Sequence, residues 1–246
     1  GSEMCIRDRN SGAALGAVAT AMFIGSETSS VDQLPGALLG AGIAVGVTVG
    51  VGKSGAIQRM VLVGVAVSAL CSALTSIFLV VDEAQLATVM SWLSGRLAGV
   101  RLSDIMPALV AVLIVVPLTL IGGKTLDLLV AGDAVAGAVG AKPERIRLAA
   151  IAAAVVLIAP SVAATGPIGF LGLMAATVAW RVCGSHHRMG LCVAGIVGAA
   201  VLLVADSVGQ AIWAPAETPV GIVTSLAGMP LVLWSVHALG RGRHAA

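Results

Sequence analysis

The sequence predicts an all-α fold, a polytopic bundle of transmembrane helices, on three observations. Of the 246 residues 58% are apolar and only 11% charged, whereas a soluble domain carries about a quarter charged residues. The charges are confined to short intervals between long charge-free runs. The basic charges also fall almost entirely on one side of the spans those runs define. Disorder is excluded by the same hydropathy, and nucleic-acid binding by a net charge of +2 with no basic block. The four cysteines, Cys5, Cys71, Cys183 and Cys192, form no CxxC and read as small hydrophobes rather than a disulfide or metal framework.

The charge-free runs cover 10–26, 33–52, 60–81, 105–123, 148–180, 189–205 and 218–240. A hydrocarbon core of about 30 Å takes roughly 20 helical residues, so six runs supply one span each. The run 148–180 is too long for one, since its 33 residues would make a helix of about 50 Å. It contains Pro160 and then Gly166-Pro167, a pair that ends one helix and starts another. Splitting it there gives eight spans.

With the N-terminus inside, one side receives Arg7, Arg9, Lys53, Arg59, Lys124, Lys142, Arg145, Arg147, Arg181, Arg188, Arg241 and Arg243, and the other only Arg96 and Arg101. That positive-inside bias places both ends in the cytoplasm. An unsplit 148–180 run would put the 142–147 cluster and the Arg181/Arg188 pair on opposite faces.

Taken in order, residues 1–9 (GSEMCIRDR) are polar, lack a helical pattern, and are expected to be a foreign or disordered head outside the fold. SGAALGA, GALLGAGIAVG and VAGIVGAA supply small residues through which helices approach closely in lipid. The outer connection 82–104 carries helical spacing over 84–100, with Trp92 suited to the interface or to a dip toward the bundle. The inner connection 124–147 reads as two short amphipathic helices, a stop at Gly140 and a restart at Pro143. Its Ala/Gly face between charges favours insertion into a partner's groove over a solvated loop. In the next to last span Asp206 is the one embedded acid, read first as a structural hydrogen-bonding group and second as a functional one.

Several apparent motifs fail. VGVGKSG lacks the glycine a phosphate loop needs, since Val47 stands there, and it leaves a span rather than a strand. His186 and His187 are adjacent, without metal-ligand spacing, and read as loop residues. No Ser/His/Asp set, HExxH or paired intramembrane carboxylates appear, so no catalytic residue and no metal site is assigned. The inverted repeats and midplane ionisable groups of an ion-coupled secondary carrier are not evident either.

The motifs ATGPIGFLGL (164–173) and LLVADSVGQAIWAPAETPVGIVTSLAGMPLVLW (202–234) resemble the FecCD-type iron-siderophore, cobalamin and haem permeases of bacterial ABC importers. LVGVAVSALCSALTS (62–76), SWLSGRLAGVRLSD (91–104), GDAVAGAVGAKPERIR (132–147) and NSGAALGA (10–17) extend the resemblance over 10–246. It implies a single transmembrane permease domain with ten helices in the family fold. The eight spans here then look like the third to the tenth, so that the domain lacks the first two.

The resemblance further implies an iron(III)-siderophore as cargo, with cobalamin or haem as alternatives, and alternating access driven by separate ATPase subunits. A second permease subunit and a substrate-binding protein complete the implied assembly in the inner membrane. No cofactor is expected on this chain, ATP being held by the partner. Segment 132–147 is similar to the helices that press into the ATPase, placing Asp133, Ala138, Gly140, Ala141 and Arg145 at that contact. Segment 84–100 is similar to the short helix bordering the substrate route, placing Trp92, Ser94 and Gly95 there. The family pattern has Pro-His where Ala176-Thr177 stand, and Arg where Trp180 and Gln210 stand. Docking of the binding protein therefore shifts to Arg96 and Arg101, the outward cations, together with Glu217 of the 202–234 block.

Overall fold

A computed structural model describes residues 2–24, 30–52, 57–81, 86–130, 133–184, 186–213 and 219–230, and the regular structure among them is helical. The long helices are α1 (Ser2–Ile24), α2 (Ser30–Gly52), α3 (Ile57–Val81), α5 (Leu102–Ile121), α8 (Pro143–Thr165) and α10 (His187–Trp213). Shorter ones are α4 (Leu86–Leu93), α6 (Gly123–Val130), α7 (Asp133–Ala138) and α9 (Leu171–Cys183), followed by α11 (Val220–Pro230). Each expected span has a helix over its described residues. Five helices, α2, α3, α5, α8 and α10, are long and apolar enough to cross a bilayer; α9 and α11 are shorter apolar helices.

The long apolar run divides where Gly166-Pro167 predicts, between the end of α8 at Thr165 and the start of α9 at Leu171. Two elements differ from expectation. The polar head is helical from Ser2 onward; residues 2–9 contain no Gly or Pro, so the turns of the following span propagate through them. The helix expected over 84–100 is shorter, because Gly95 and Gly99 take φ values of 76° and 78°, which α-helix does not accommodate.

Two compact units form, one of residues 1–119 with 144–167 and the other of 120–143 with 168–246. In the first, α1 and α2 approach through facing glycines. A Cβ added at Gly16 would overlap the Gly36 carbonyl, and one at Gly40 the Gly12 carbonyl. The spacing is Gly-x-x-x-Gly in both helices, the pattern that brings backbones together where lipid supplies no hydrophobic drive. Around this crossing Ala13, Ala14, Ala17, Ala37 and Ala41 pack with Ala159, Val162 and Ala163 of α8.

In the second unit α9 lies along α10. Gly228 of α11 lets Phe170 pack close, since a Cβ there would stand 2.6 Å from the Phe170 Cβ. Phe170 itself holds a φ of 61°, a costly conformation for a large side chain.

Polar side chains inside the spans are spent locally. Thr48 donates to the Ala44 carbonyl, Ser68 to Gly64 and Thr75 to Cys71, at 2.9, 3.1 and 2.9 Å. Such bonds to the preceding turn satisfy a hydroxyl where no water reaches it. Large apolar side chains such as Leu113, Ile114 and Leu118 of α5 and Ile196, Leu203 and Val204 of α10 are exposed, as a lipid-facing surface requires.

Candidate functional site

The connection between α5 and α8 folds into an ordered turn that presents small residues. α7 ends with Gly140 at φ 80°, its N–H donating to Gly137 O at 3.0 Å while the Ala141 N–H donates to Ala136 O at 3.0 Å. This pair of bonds is a Schellman stop, which consumes two carbonyls the helix end would otherwise leave open. Pro143 then opens α8, where its missing N–H costs nothing. The stop and restart read from the sequence are both present.

Gly137, Ala138, Val139 and Gly140 are exposed, and Ala141 is half-buried. A Cβ added at Gly137 or Gly140 would meet nothing within 4 Å, so the turn has an open face. Val139 is 68% exposed, an apolar side chain offered outward at its tip. Lys142 and Arg145 are exposed after it. The side chain of Asp133 lies outside the described residues, although its backbone starts α7.

The approach to this turn is fastened to α10 by groups 60 residues apart in sequence. The Asp127 carboxylate on α6 accepts the His187 backbone N–H at 3.0 Å, and its Oδ1 lies 2.6 Å from His187 Nδ1. Asp127 thereby caps the first turn of a helix it does not belong to. The His187 backbone hydrogen bond first, and the ring contact second, hold its carboxyl below the usual carboxylate range. Beside it, Arg188 donates to the Ile121 carbonyl at the end of α5 at 2.9 Å, and its stem lies against buried Gly123, where a Cβ would overlap Arg188 Cγ. His187 is thus the first residue of α10 and tied to a carboxylate, not a loop residue. Neither local periodicity nor metal-ligand spacing could have shown this contact.

At the connection between α3 and α5 Trp92, Ser94 and Gly95 come together at the end of α4. Trp92 and Leu93 pack against the alanine core of α1, α2 and α8, which explains the indole's position without lipid. Ser94 donates to Met90 O at 2.8 Å, and buried Gly95 turns the chain. The next residue joins its backbone to α8, the Arg96 N–H donating to Thr165 O at 2.9 Å. Gly166 is required there, since a Cβ would overlap the Trp92 carbonyl and its φ is 75°.

The expected docking cations separate. Arg96 is half-buried, with Nε donating to Ala98 O and Nη1 to Ser91 Oγ, both at 3.3 Å, so its guanidinium holds its own turn. Arg101 is exposed and precedes α5, its backbone N–H accepted by Asp104 at 3.1 Å. Glu217 lies outside the described residues. Asp206 accepts from Gln210 Nε2 at 2.8 Å, one turn along α10. Gln210, where the resemblance implies Arg, is therefore the partner of Asp206. Among the described residues no group of three His, Cys, Asp or Glu side chains is arranged to hold a metal.

A helical chain with several bilayer-length spans, glycine-mediated helix crossings and an ordered, exposed turn between them is a multi-pass membrane protein. A family model described as the FecCD transport family matches residues 9–238, and the chain belongs to that family.

The Fe(3+) dicitrate transport system permease protein FecD of Escherichia coli (strain K12) is 34% identical over 72% of this chain and 56% of its own length. The hemin transport system permease protein HmuU of Yersinia pestis is 34% identical over 74% of this chain and 55% of its own. The cobalamin import system permease protein BtuC of Halobacterium salinarum is 35% identical over 92% of this chain and 61% of its own. The chain thus spans little more than half the length of such relatives. A solved structure described as an inward-facing conformation of a metal-chelate type ABC transporter matches with a TM-score of 0.84 at 26% identity, over 95% of this chain and 75% of that one.

Proposed function

We propose that this chain is the membrane-spanning permease subunit of an ABC importer that carries an iron(III)-chelate, of the siderophore class, across the bacterial inner membrane. The observation that carries the reading is the α7 turn. It is rigidly stopped at Gly140, outwardly open at Gly137, and flanked by exposed Lys142 and Arg145. A separate ATPase grips this turn through Ala138, Gly140, Ala141 and Arg145, with Asp133 at its start, and its closure on ATP switches the bundle between inward and outward access. The turn and both chain ends face the cytoplasm, a reading supported by the one-sided distribution of basic residues.

A second permease subunit completes the pathway, bordered by Trp92, Ser94 and Gly95, while lipid covers the exposed apolar faces. A substrate-binding protein docks outside. With Arg96 committed to its own turn, exposed Arg101 carries more of that docking, with Glu217 contributing. ATP stays on the partner, and this chain holds no cofactor.

Cobalamin and haem form the second reading, favoured by relatives named for those cargoes. Uptake assays in cells lacking their own permease, with ferric citrate, a ferric hydroxamate, hemin and cyanocobalamin, separate the readings. ATP-dependent uptake of a ferric chelate alone supports the first, and uptake of hemin or cyanocobalamin alone replaces it with the second.

A further inference from the structure

The links at the start of α10 do more than close a loop. α6 is held at both ends of its first two turns. Gly122 joins it to α5 and Gly123 seats the Arg188 stem, while Asp127 takes both the backbone and the ring of His187. α7 begins three residues beyond the end of α6, so any force on the docking turn reaches Asp127 through a short path. On the other side of the link stands α10, with 27 residues and a length of about 40 Å. Unlike α5, which contains Pro107 and Pro117, and α8, which contains Pro160, α10 has no proline to bend at. An unbroken helix of this kind joins the His187 end to the turn where Asp206 and Gln210 pair.

We propose that the Asp127–His187 and Arg188–Ile121 links are a strap through which displacement of the ATPase-gripped α7 segment moves α10 as one rod. Asp127, His187 and Arg188 are then positioning residues for transport, acting through α10 rather than on the cargo. The strap rests on the importer reading.

Cys192 lies five residues into α10 and is exposed, which makes it a reporter of that helix. With Cys5, Cys71 and Cys183 changed to Ser, the chain is reconstituted with its ATPase in proteoliposomes. Maleimide labelling of Cys192 is then timed with and without ATP-vanadate trapping. The unsubstituted background should show a nucleotide-dependent change in labelling rate. Asp127→Ala and His187→Ala should each shrink that change by about fivefold, the low end of coupling between two sites, while the ATPase stays bound. Asp127→Asn keeps an acceptor oxygen for the His187 N–H and should retain most of the change.

A full-sized change in both alanine variants overturns the strap. Loss of ATPase association in step with the labelling change, in both variants, marks a mere structural fastener and overturns it as well. Failure of any ATPase to associate with the unsubstituted background overturns the importer reading, and the strap falls with it.

Discussion

Replacing Gly137 with leucine adds a side chain where this chain itself offers no resistance. A Cβ at that position has nothing within 4 Å, and the residue lies in α7 with helical backbone. Leucine is a better helix former than glycine by somewhat under 1 kcal/mol, so the variant should fold at least as well as the parent. Gly140→Ala provides the contrast. No atom stands near its Cβ either, but φ is 80°, and an L-residue there costs about 1–2 kcal/mol. If the turn inserts into an ATPase groove, Gly137→Leu should weaken the complex by about 2 kcal/mol or more, the scale of an interface hot spot, or roughly thirtyfold in affinity. Gly140→Asn, which tolerates the left-handed region, should weaken it less than Gly140→Leu. Co-purification of the ATPase in detergent, read beside thermal unfolding of the permease alone, separates docking from folding. Unchanged ATPase affinity in Gly137→Leu would refute the docking role of this turn.

Two further outcomes follow from other sites. Gly40→Val drives a side chain into the Gly12 carbonyl and should cost about 1–3 kcal/mol, as overpacking does. Gly42→Ala and Gly46→Ala, with nothing within 4 Å, should not; thermal unfolding in detergent reads the difference, and equal losses at all three would show that the crossing does not depend on glycine. Asp127 has a folded-state carboxyl pKa below its ordinary value of 3.8. The stability it contributes is present in full well above that value and is lost as pH falls through the lower folded one. Melting temperatures between pH 6 and 3 should therefore fall more steeply for the parent than for Asp127→Asn, and identical profiles would show that the carboxylate contributes nothing.

Features encoded locally were legible in the sequence. Charge-free runs located the spans because hydrocarbon excludes charge over a fixed thickness. Gly166-Pro167 marked the break in the longest run, and Gly140 with Pro143 marked the stop and restart, since both depend on the backbone limits of single residues. What escaped depends on groups distant in sequence. The abundance of Gly and Ala predicted close helix packing, but not that Gly12 and Gly16 would face Gly36 and Gly40. The bonds of Arg96 to Ser91 and to the Ala98 carbonyl are local, but they depend on a turn geometry that no residue pattern announces. His187 carried no motif, and only the fold brings Asp127 to it. The polar head and the shortened α4 show the limit of pattern reading at helix ends, where one glycine or its absence moves the boundary.

The side of the membrane on which the α7 turn emerges decides the account. Lys142 is exposed directly after that turn, and a Lys142→Cys variant in a background free of other cysteines can be labelled with a membrane-impermeant maleimide. Labelling in inside-out vesicles and protection in right-side-out ones is the predicted result. Labelling from the outside of intact cells would put the turn beyond the reach of any cytoplasmic ATPase and contradict the proposed importer.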